Sequence, residues 1–285
     1  MTFYKPYLIS ILSLFLISCS TESNEIILEE LENEIIEETE NETIPLELDS
    51  LYAKYEVEGS FILVDLENDQ KSVYNDPDIY VERTPASTFK ICNSIIGLET
   101  GVITDENFII EWDGVERRIP SWNQDNDLGM ALQNSTVWYY QEVARRIDTV
   151  QMQFWLHKLD YGNKNMGDEV DQFWLNGDIS ISPMQQAGFL ESIINRTLEV
   201  SDRTIDILED IMTYDSTDNY IIRAKTGWGF VDNEDIGWFI GWIEKDEKEY
   251  VFVNCIQTAT LNDQFGKARI DIVYEVLRQE GLIEN

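Results

Sequence analysis

The spacing of apolar residues changes along the chain. It has a period of two, typical of strands, near both ends, and a helical spacing of three to four mainly between them. Alternation with a period of two, and short apolar runs bounded by turn residues, predict strands near both ends. The predicted strands are GSFILVDLEN and KSVYND towards the N-terminus, and YIIRAKTG, DIGWFIGWIEK and EYVFVNCIQ towards the C-terminus.

Between these strands, apolar residues recur three and four positions apart, as on one face of a helix. The predicted helices are STFKICNSIIGLETG, which stops at Gly101, then TVWYYQEVARRI, DTVQMQFWLHKL, SPMQQAGFLESII and SDRTIDILEDIM, with GKARIDIVYEVLRQEG closing the chain. Strands at both ends with helices between them predict an α+β fold. Its central antiparallel sheet is built from both ends of the chain and flanked by helices, with an inserted helical domain. A cleft between two such parts is a usual place for a functional site.

The first residues predict export. Lys5 precedes an apolar run from Tyr7 to Ile17, which is too short to span a bilayer and has the layout of a secretory signal. The order of Leu16, Ser18 and Cys19 resembles the lipobox of bacterial lipoproteins, whose cysteine becomes an acylated N-terminus. We therefore expect a signal peptide over residues 1–18 and a lipid anchor on Cys19, on the periplasmic face of a membrane. An ordinary signal peptide with an incidental cysteine is the alternative.

The segment after the predicted signal peptide differs from the rest of the chain in its charge. From Ser20 to Glu47 the sequence has eleven Glu and no Lys or Arg, so this segment repels itself and buries little apolar surface. We expect a disordered acidic tether over residues 19–47 and one catalytic domain over residues 48–285. The formal net charge of the whole chain is −35, which makes nucleic acid an improbable partner because phosphate binding needs basic patches.

Two cysteines remain once Cys19 is set aside. Cys92 and Cys255 belong to an exported protein, a setting in which they could pair as a disulfide. Both lie inside apolar segments, KICNSII and FVNCIQT, so two buried free thiols are the favoured interpretation.

The candidate chemistry starts from the stretch ASTFKICN. Ser87 and Lys90 stand one helical turn apart, so the lysine Nζ can reach the serine Oγ. The chain has a single histidine, His157, in a mid-helix apolar context, which argues against a Ser-His-Asp triad and against a zinc site. A buried lysine can act as a base because burial lowers its pKa by several units.

On its own, S-x-x-K is weak evidence for a catalytic serine and its base, because most such pairs are a helix cap followed by a surface lysine. Four companions follow in order: S-x-V at 135–137, Y-G-N at 161–163, F-W-L at 173–175 and K-T-G at 225–227. Together the set resembles the class D (oxacillinase-type) serine β-lactamases, and the resemblance extends from about Tyr55 to Ile283. It implies the β-lactamase/transpeptidase-like fold and hydrolysis of β-lactam antibiotics, which would give antibiotic resistance.

In that family the lysine of S-x-x-K is carboxylated by CO2, and no metal or other cofactor is needed. The resemblance implies that Lys90 becomes N6-carboxylysine and takes the proton of the nucleophile Ser87. Trp174 would donate its indole N–H to the carbamate, while Val137 and Leu175 would keep the site dry.

The remaining roles also follow from the resemblance. The backbone N–H groups of Ser87 and Trp228 would form the oxyanion hole, and Ser135 would relay a proton to the lactam nitrogen. The K-T-G motif of Lys225, Thr226 and Gly227 would line the opposite wall. Arg269 would help to hold the substrate carboxylate, for which a guanidinium fork is well suited; its alignment is looser than that of K-T-G. We expect Tyr161 and Asn163 to be mainly structural.

Two other functions stay open at this point. A penicillin-binding sensor or acyl-trapping protein shares the motifs but is acylated without turnover. A penicillin-binding protein that acts on peptidoglycan shares S-x-x-K and K-T-G, whereas F-W-L and the apolar S-x-V point to lysine carboxylation. The link from Gly227 to IGWFIGW is short and resembles that of family members in which a short loop accompanies carbapenem hydrolysis. We expect a monomer or homodimer whose partners are small β-lactam substrates and whose only membrane contact is the lipid anchor.

Overall fold

Both ends of the chain contribute strands to one sheet, as the pattern predicts. The computed structural model describes residues 43–284, so the predicted signal peptide, the Cys19 anchor and most of the acidic tether lie outside the described residues. The seven strands are β1 Ile44–Pro45, β2 Glu58–Asp65, β3 Gln70–Tyr74, β4 Thr213–Ser216, β5 Ile221–Val231, β6 Glu234–Lys245 and β7 Lys248–Thr258. They lie in the order β1-β3-β2-β7-β6-β5-β4.

The sheet is mixed rather than wholly antiparallel, because β1 runs parallel to β3 while every other neighbouring pair is antiparallel. This first strand lies before residue 48, where the sequence predicts the start of the domain. Ile44 pairs with Ser72, and the Leu46 N–H donates to the Val73 carbonyl at 2.6 Å. Residues 44–46, at the end of a segment whose composition alone predicts disorder, are therefore ordered by pairing of their backbone groups with β3.

The helices occupy both faces of the sheet. They are α1 Asp49–Lys54, α2 Lys90–Glu99, α3 Leu128–Gln133, α4 Val137–Ile147, α5 Thr149–Lys158, α6 Phe173–Asn176, α7 Pro183–Ile194, α8 Asp202–Ile211 and α9 Phe265–Gln279. All six predicted helices are present. The sequence pattern missed α1, α3, α6, β1 and β4, which have only two to six residues and are too short to show a period.

Alternate side chains of the same strands supply two separate cores, one on each face. Ile62, Trp238 and Val253 point into a core shared with α2, α4, α7 and α8. Phe61, Phe239 and Phe252 point to the other face, where α1 and α9 cover them. The sheet is therefore buried on both faces, and the large helical part between β3 and β4 packs on one of them.

Two further expectations concern cysteines and membrane contact. Cys92 and Cys255 are free thiols, both fully buried, and burial raises the pKa of Cys255 to about 12. Between residues 43 and 284 no helix combines the length and apolarity needed to cross a bilayer.

Candidate active site

Ser87 lies on a tight turn rather than in the first turn of an α-helix. Residues Ala86–Phe89 form a 3₁₀ turn that leads directly into α2, and Ala86 has a φ of +48°, a left-handed conformation that costs free energy for any residue with a Cβ. A Cβ on Gly227 would lie 3.0 Å from the Pro85 carbonyl oxygen. The glycine of K-T-G therefore lets β5 approach the turn that carries Ser87.

Lys90 is held against Ser87 by direct contact. Its Nζ donates a hydrogen bond to Ser87 Oγ at 2.8 Å, and the lysine side chain is fully buried. The ring of Tyr140 lies next to this amine, with its centroid 5.5 Å from Nζ. Burial lowers the pKa of Lys90 to about 7. A large fraction of the amine is therefore neutral at neutral pH, as a base or a CO2 acceptor must be.

An aromatic cluster packs around Phe89, the residue directly before Lys90. Phe89 stacks on Trp174, with ring centroids 5.3 Å apart, and meets the edges of Phe173 and Tyr161. Trp174 is fully buried, yet its indole N–H has no hydrogen-bond partner. An unpaired buried donor is unusual because it loses its hydration without compensation. The F-W-L motif that carries it lies on the short helix α6.

The two residues expected to shield the site are both half-buried. Val137 is the first residue of α4, and Leu175 lies on α6 and packs against the core that also contains Trp174.

Ser135 and Lys225 meet across the cleft. Ser135 has a φ of +55° just before α4, and Lys225 Nζ donates to its Oγ at 3.0 Å. Lys225 Nζ also donates to the carbonyl of Thr226 at 2.8 Å. Burial, followed by the nearby cations Lys90 and Arg269, holds the pKa of Lys225 well below its ordinary value. K-T-G does not end its strand, because β5 continues for four more residues and joins β6 through a tight turn at residues 232–233.

Arg269 is brought to the same end of the sheet by α9. Its guanidinium donates to the Gly227 carbonyl at 2.6 Å and to the Gly266 carbonyl at 2.9 Å. Burial lowers the pKa of Arg269 to about 10, so it remains a cation at neutral pH. The cationic side chain lies next to K-T-G, where the looser alignment of the last helix predicts it.

Trp228 follows K-T-G at the open end of the cleft. Its side chain is 42% exposed, and the centroid of its ring is 5.3 Å from the Arg269 guanidinium carbon. His157 is exposed on α5 and forms no part of this cluster, in agreement with the argument against a triad.

Tyr161 and Asn163 support the site from outside. The Tyr161 ring packs edge-on against Phe89 and Phe189, and the Asn163 N–H donates to the Ser180 carbonyl at 2.8 Å. Their contacts join the Y-G-N turn to the segment after α6.

Several residues near the site were not predicted from the sequence. Tyr140 lies under Lys90, and its only sequence signal is its place one helical turn after Val137. A cleft of about 310 Å³ opens beside Lys225 and Thr226. It is otherwise lined by Leu132, Gln133, Ile211, Met212, Thr213, Tyr214 and Ala224. These residues come from four separate elements, so no local motif marks them.

With this geometry established, known proteins provide an independent comparison. Residues 65–278 match the penicillin binding protein transpeptidase domain family. The probable beta-lactamase YbxI of Bacillus subtilis is 39% identical over 228 residues, which cover 80% of this chain and 83% of that protein. Beta-lactamase OXA-48 of Klebsiella pneumoniae is 43% identical over 199 residues, covering 70% and 74%.

Solved structures give the same fold. The class D beta-lactamase YbXI from Nostoc has a TM-score of 0.80 at 38% identity, covering 84% of this chain and all of that one. The C-terminal domain of the BlaR penicillin-receptor of Bacillus licheniformis also has a TM-score of 0.80, at 26% identity, covering 85% of this chain and 98% of that one. The fold is thus shared by proteins named as hydrolases and by one named as a receptor.

Proposed function

The chain belongs to the class D serine β-lactamases, and we propose that it hydrolyses penicillin-type β-lactams through an acyl-enzyme on Ser87, with N-carboxylated Lys90 as the general base. Hydrolysis of the lactam amide would inactivate the antibiotic and give resistance to the cell that carries the enzyme. The observation that supports the carboxylated base most directly is a buried lysine that donates a hydrogen bond to Ser87. A second is the unpaired, buried indole N–H of Trp174, whose ring stacks on Phe89, the residue before that lysine.

The environment of Lys90 suits carboxylation. A neutral amine adds CO2 and releases one proton, and the buried Lys90, with a pKa of about 7, offers a neutral amine at neutral pH. The product is an anion that needs hydrogen-bond donors in a buried site, and the Trp174 indole N–H is an unpaired one. A carbamate on Lys90 would supply the anion that accepts the Ser87 proton and, later, a proton from the hydrolytic water.

Acylation then uses groups that already face one another. Ser87 Oγ would attack the lactam carbonyl, and the lactam C–N bond would break as its nitrogen receives a proton through Ser135. The hydrogen bond from Lys225 to Ser135 keeps that hydroxyl oriented for the transfer. The backbone N–H groups of Ser87 and Trp228 would stabilise the oxyanion, and loss of one such donor costs about 10²–10³ in rate.

The substrate carboxylate would bind at the cationic end of the cleft. Arg269 donates to the Gly227 carbonyl of K-T-G, Lys225 of the same motif supplies a second cationic side chain, and Thr226 adds a hydroxyl group. An arginine that keeps its charge at neutral pH fits a carboxylate, and its fork can form two parallel hydrogen bonds.

Steady-state hydrolysis of benzylpenicillin in CO2-depleted buffer tests the carboxylated base. Added bicarbonate should raise the rate, and Lys90→Ala should abolish both the turnover and the bicarbonate response. Activity that ignores bicarbonate and survives in Lys90→Ala would contradict the carbamate.

Acylation without turnover is the second candidate, and the similarity to the BlaR penicillin-receptor domain favours it. A receptor of this kind would form the Ser87 ester and keep it. The two functions differ only in the rate of deacylation, so release of hydrolysed penicillin in excess over enzyme separates them.

We also propose that the protein is exported and lipid-anchored through Cys19, on the strength of the apolar run and the order of Leu16, Ser18 and Cys19. Metabolic labelling with a fatty-acid analogue should mark the full-length chain and should fail in Cys19→Ser. The purified domain should be a monomer or homodimer by light scattering.

A further inference from the structure

The side chain of Trp228 is held by contacts on several sides although it is 42% exposed. Its ring centroid is 5.2 Å from that of Phe265, in the first turn of α9. A Cβ on Gly266 would lie 3.0 Å from Trp228 Cζ3, so the ring also touches the helix backbone. The indole therefore joins β5 to the helix that carries Arg269.

Asp235 fixes the other end of this indole. In the β5–β6 ladder Trp228 faces Gly237 and Phe230 faces Asp235, which places Asp235 diagonally across from Trp228 on the neighbouring strand. The Trp228 Nε1–H donates to Asp235 Oδ1 at 2.7 Å. A hydrogen bond to a carboxylate is stronger and more directional than one between neutral groups.

Arg269 lies on the ring that Asp235 holds. Its guanidinium carbon is 5.3 Å from the Trp228 centroid, and two backbone carbonyls accept its N–H groups. Asn254 Nδ2 in turn donates to the Arg269 carbonyl at 2.8 Å and ties the helix to β7. Among residues 43–284 no carboxylate forms an ion pair with Arg269, so its charge is not already neutralised by the protein.

We propose that Asp235 is a positioning residue for the substrate carboxylate. It acts through Trp228: the hydrogen bond fixes the ring plane, and the ring face fixes the guanidinium of Arg269 beside K-T-G. Asp235 itself touches neither the substrate nor Ser87. This inference rests on the proposed binding of the substrate carboxylate by Arg269.

Electrostatics alone would give the opposite effect. Asp235 is a negative charge near the place where an anionic substrate binds, so its removal by itself should improve binding of the substrate. If Asp235 instead positions Trp228 and Arg269, removal of the Asp235 side chain should weaken binding of the substrate. The sign of the change therefore distinguishes the two interpretations.

The experiment compares benzylpenicillin with its methyl ester, which lacks the carboxylate. Asp235→Ala should raise KM for benzylpenicillin by about 3- to 10-fold, the range expected for loss of one ordinary, solvent-accessible hydrogen bond, with kcat within about twofold of wild type. The kinetics of the ester should not change. Asp235→Asn keeps an acceptor oxygen and should lie between wild type and Asp235→Ala. Glu234→Gln removes the same charge from the adjacent, exposed residue and should leave both substrates unaffected.

A double variant tests whether the effect passes through Arg269. Once Arg269→Ala has removed the discrimination between acid and ester, adding Asp235→Ala should cause no further loss. A KM for benzylpenicillin that falls or stays constant in Asp235→Ala would overturn the inference, as would equal losses on both substrates. A wild-type protein that does not turn over benzylpenicillin would instead refute the proposed function. Failure of Arg269→Ala to favour the ester would refute the role of Arg269 on which the inference depends.

Discussion

At the scale of single residues, the site depends on the burial of one amine. Spacing predicts that Lys90 reaches Ser87, and the hydrogen bond of 2.8 Å agrees with it. Spacing does not predict how completely Lys90 is buried, because Trp174 and Tyr140 come from segments 84 and 50 positions further along the chain. The chemistry of the lysine is thus set by long-range packing, whereas its position is set by local sequence.

Burial of Lys90 should cost stability. The unfolded lysine has a pKa near 10.5 and the folded one a pKa of about 7. Between these values the unfolded chain binds more protons, so in CO2-free buffer stability should rise as the pH increases from about 7 to 10.5. Lys90→Met should raise the free energy of unfolding at pH 7 by up to about 4 kcal/mol, and the gain should shrink towards pH 10. Urea unfolding at several pH values measures both; a gain independent of pH would contradict the lowered pKa.

The unpaired indole of Trp174 gives a second prediction at this scale. Trp174→Phe keeps an aromatic ring beside Phe89 but removes the N–H donor. The bicarbonate concentration for half-maximal activity should rise by about 10-fold or more, since a hydrogen bond to a charged group is worth about 1.5–3 kcal/mol. Trp242→Phe, in the core and away from the site, is the control and should leave that concentration unchanged. An unaltered bicarbonate dependence in Trp174→Phe would show that the indole does not serve the carbamate.

At the scale of elements, the sequence predicts the long helices and strands but misses most of the short ones. Periodicity predicts β5, β6, β7 and α9 because each has eleven residues or more. It places K-T-G at the end of a strand, whereas β5 runs on to Val231 since β6 pairs with it over that whole length. It predicts no helix at F-W-L, since a helix of four residues is too short to show a period.

The Y-G-N turn gives a stability prediction at this scale. Gly162 has a φ of +52°, and a Cβ there would lie 2.2 Å from the Ser180 carbonyl oxygen. Gly162→Ala should therefore lower the free energy of unfolding by more than about 2 kcal/mol. Gly188→Ala, on the exposed face of α7 with no atom within 4 Å, should raise it by about 0.5–1 kcal/mol. Urea unfolding of both variants checks the pair, and equal small effects would argue against a rigid turn.

At the scale of the whole molecule, the fold class was predictable because strands and helices are segregated along the chain. The order of residues 44–46 was not predictable, because the composition of that segment shows only its high charge density. It does not show that Ile44 pairs with Ser72 of β3. Most of the candidate site was predictable from motifs. The exceptions are contacts that only the assembled sheet creates, such as Asp235 with Trp228 and the cleft beside Lys225.

The large negative charge also belongs to this scale. With 55 acidic and 20 basic residues, the chain repels itself most strongly when it is compact. Raising NaCl from about 0.02 to 0.5 M, which shortens the screening length from roughly 20 Å to a few Å, should therefore raise the thermal midpoint. KCl should act equally, because the effect depends on ionic strength. A midpoint that falls with either salt would contradict dominant self-repulsion.

Intact-mass spectrometry during reaction with benzylpenicillin tests the central claim most directly, because it follows the Ser87 ester itself. The account predicts an adduct of one penicillin that appears on mixing, disappears as hydrolysed penicillin accumulates, and persists in Lys90→Ala when that variant is acylated at all. Ser87→Ala should show no adduct. A wild-type adduct that lasts for hours without accumulation of product would contradict hydrolysis and identify a receptor or trap.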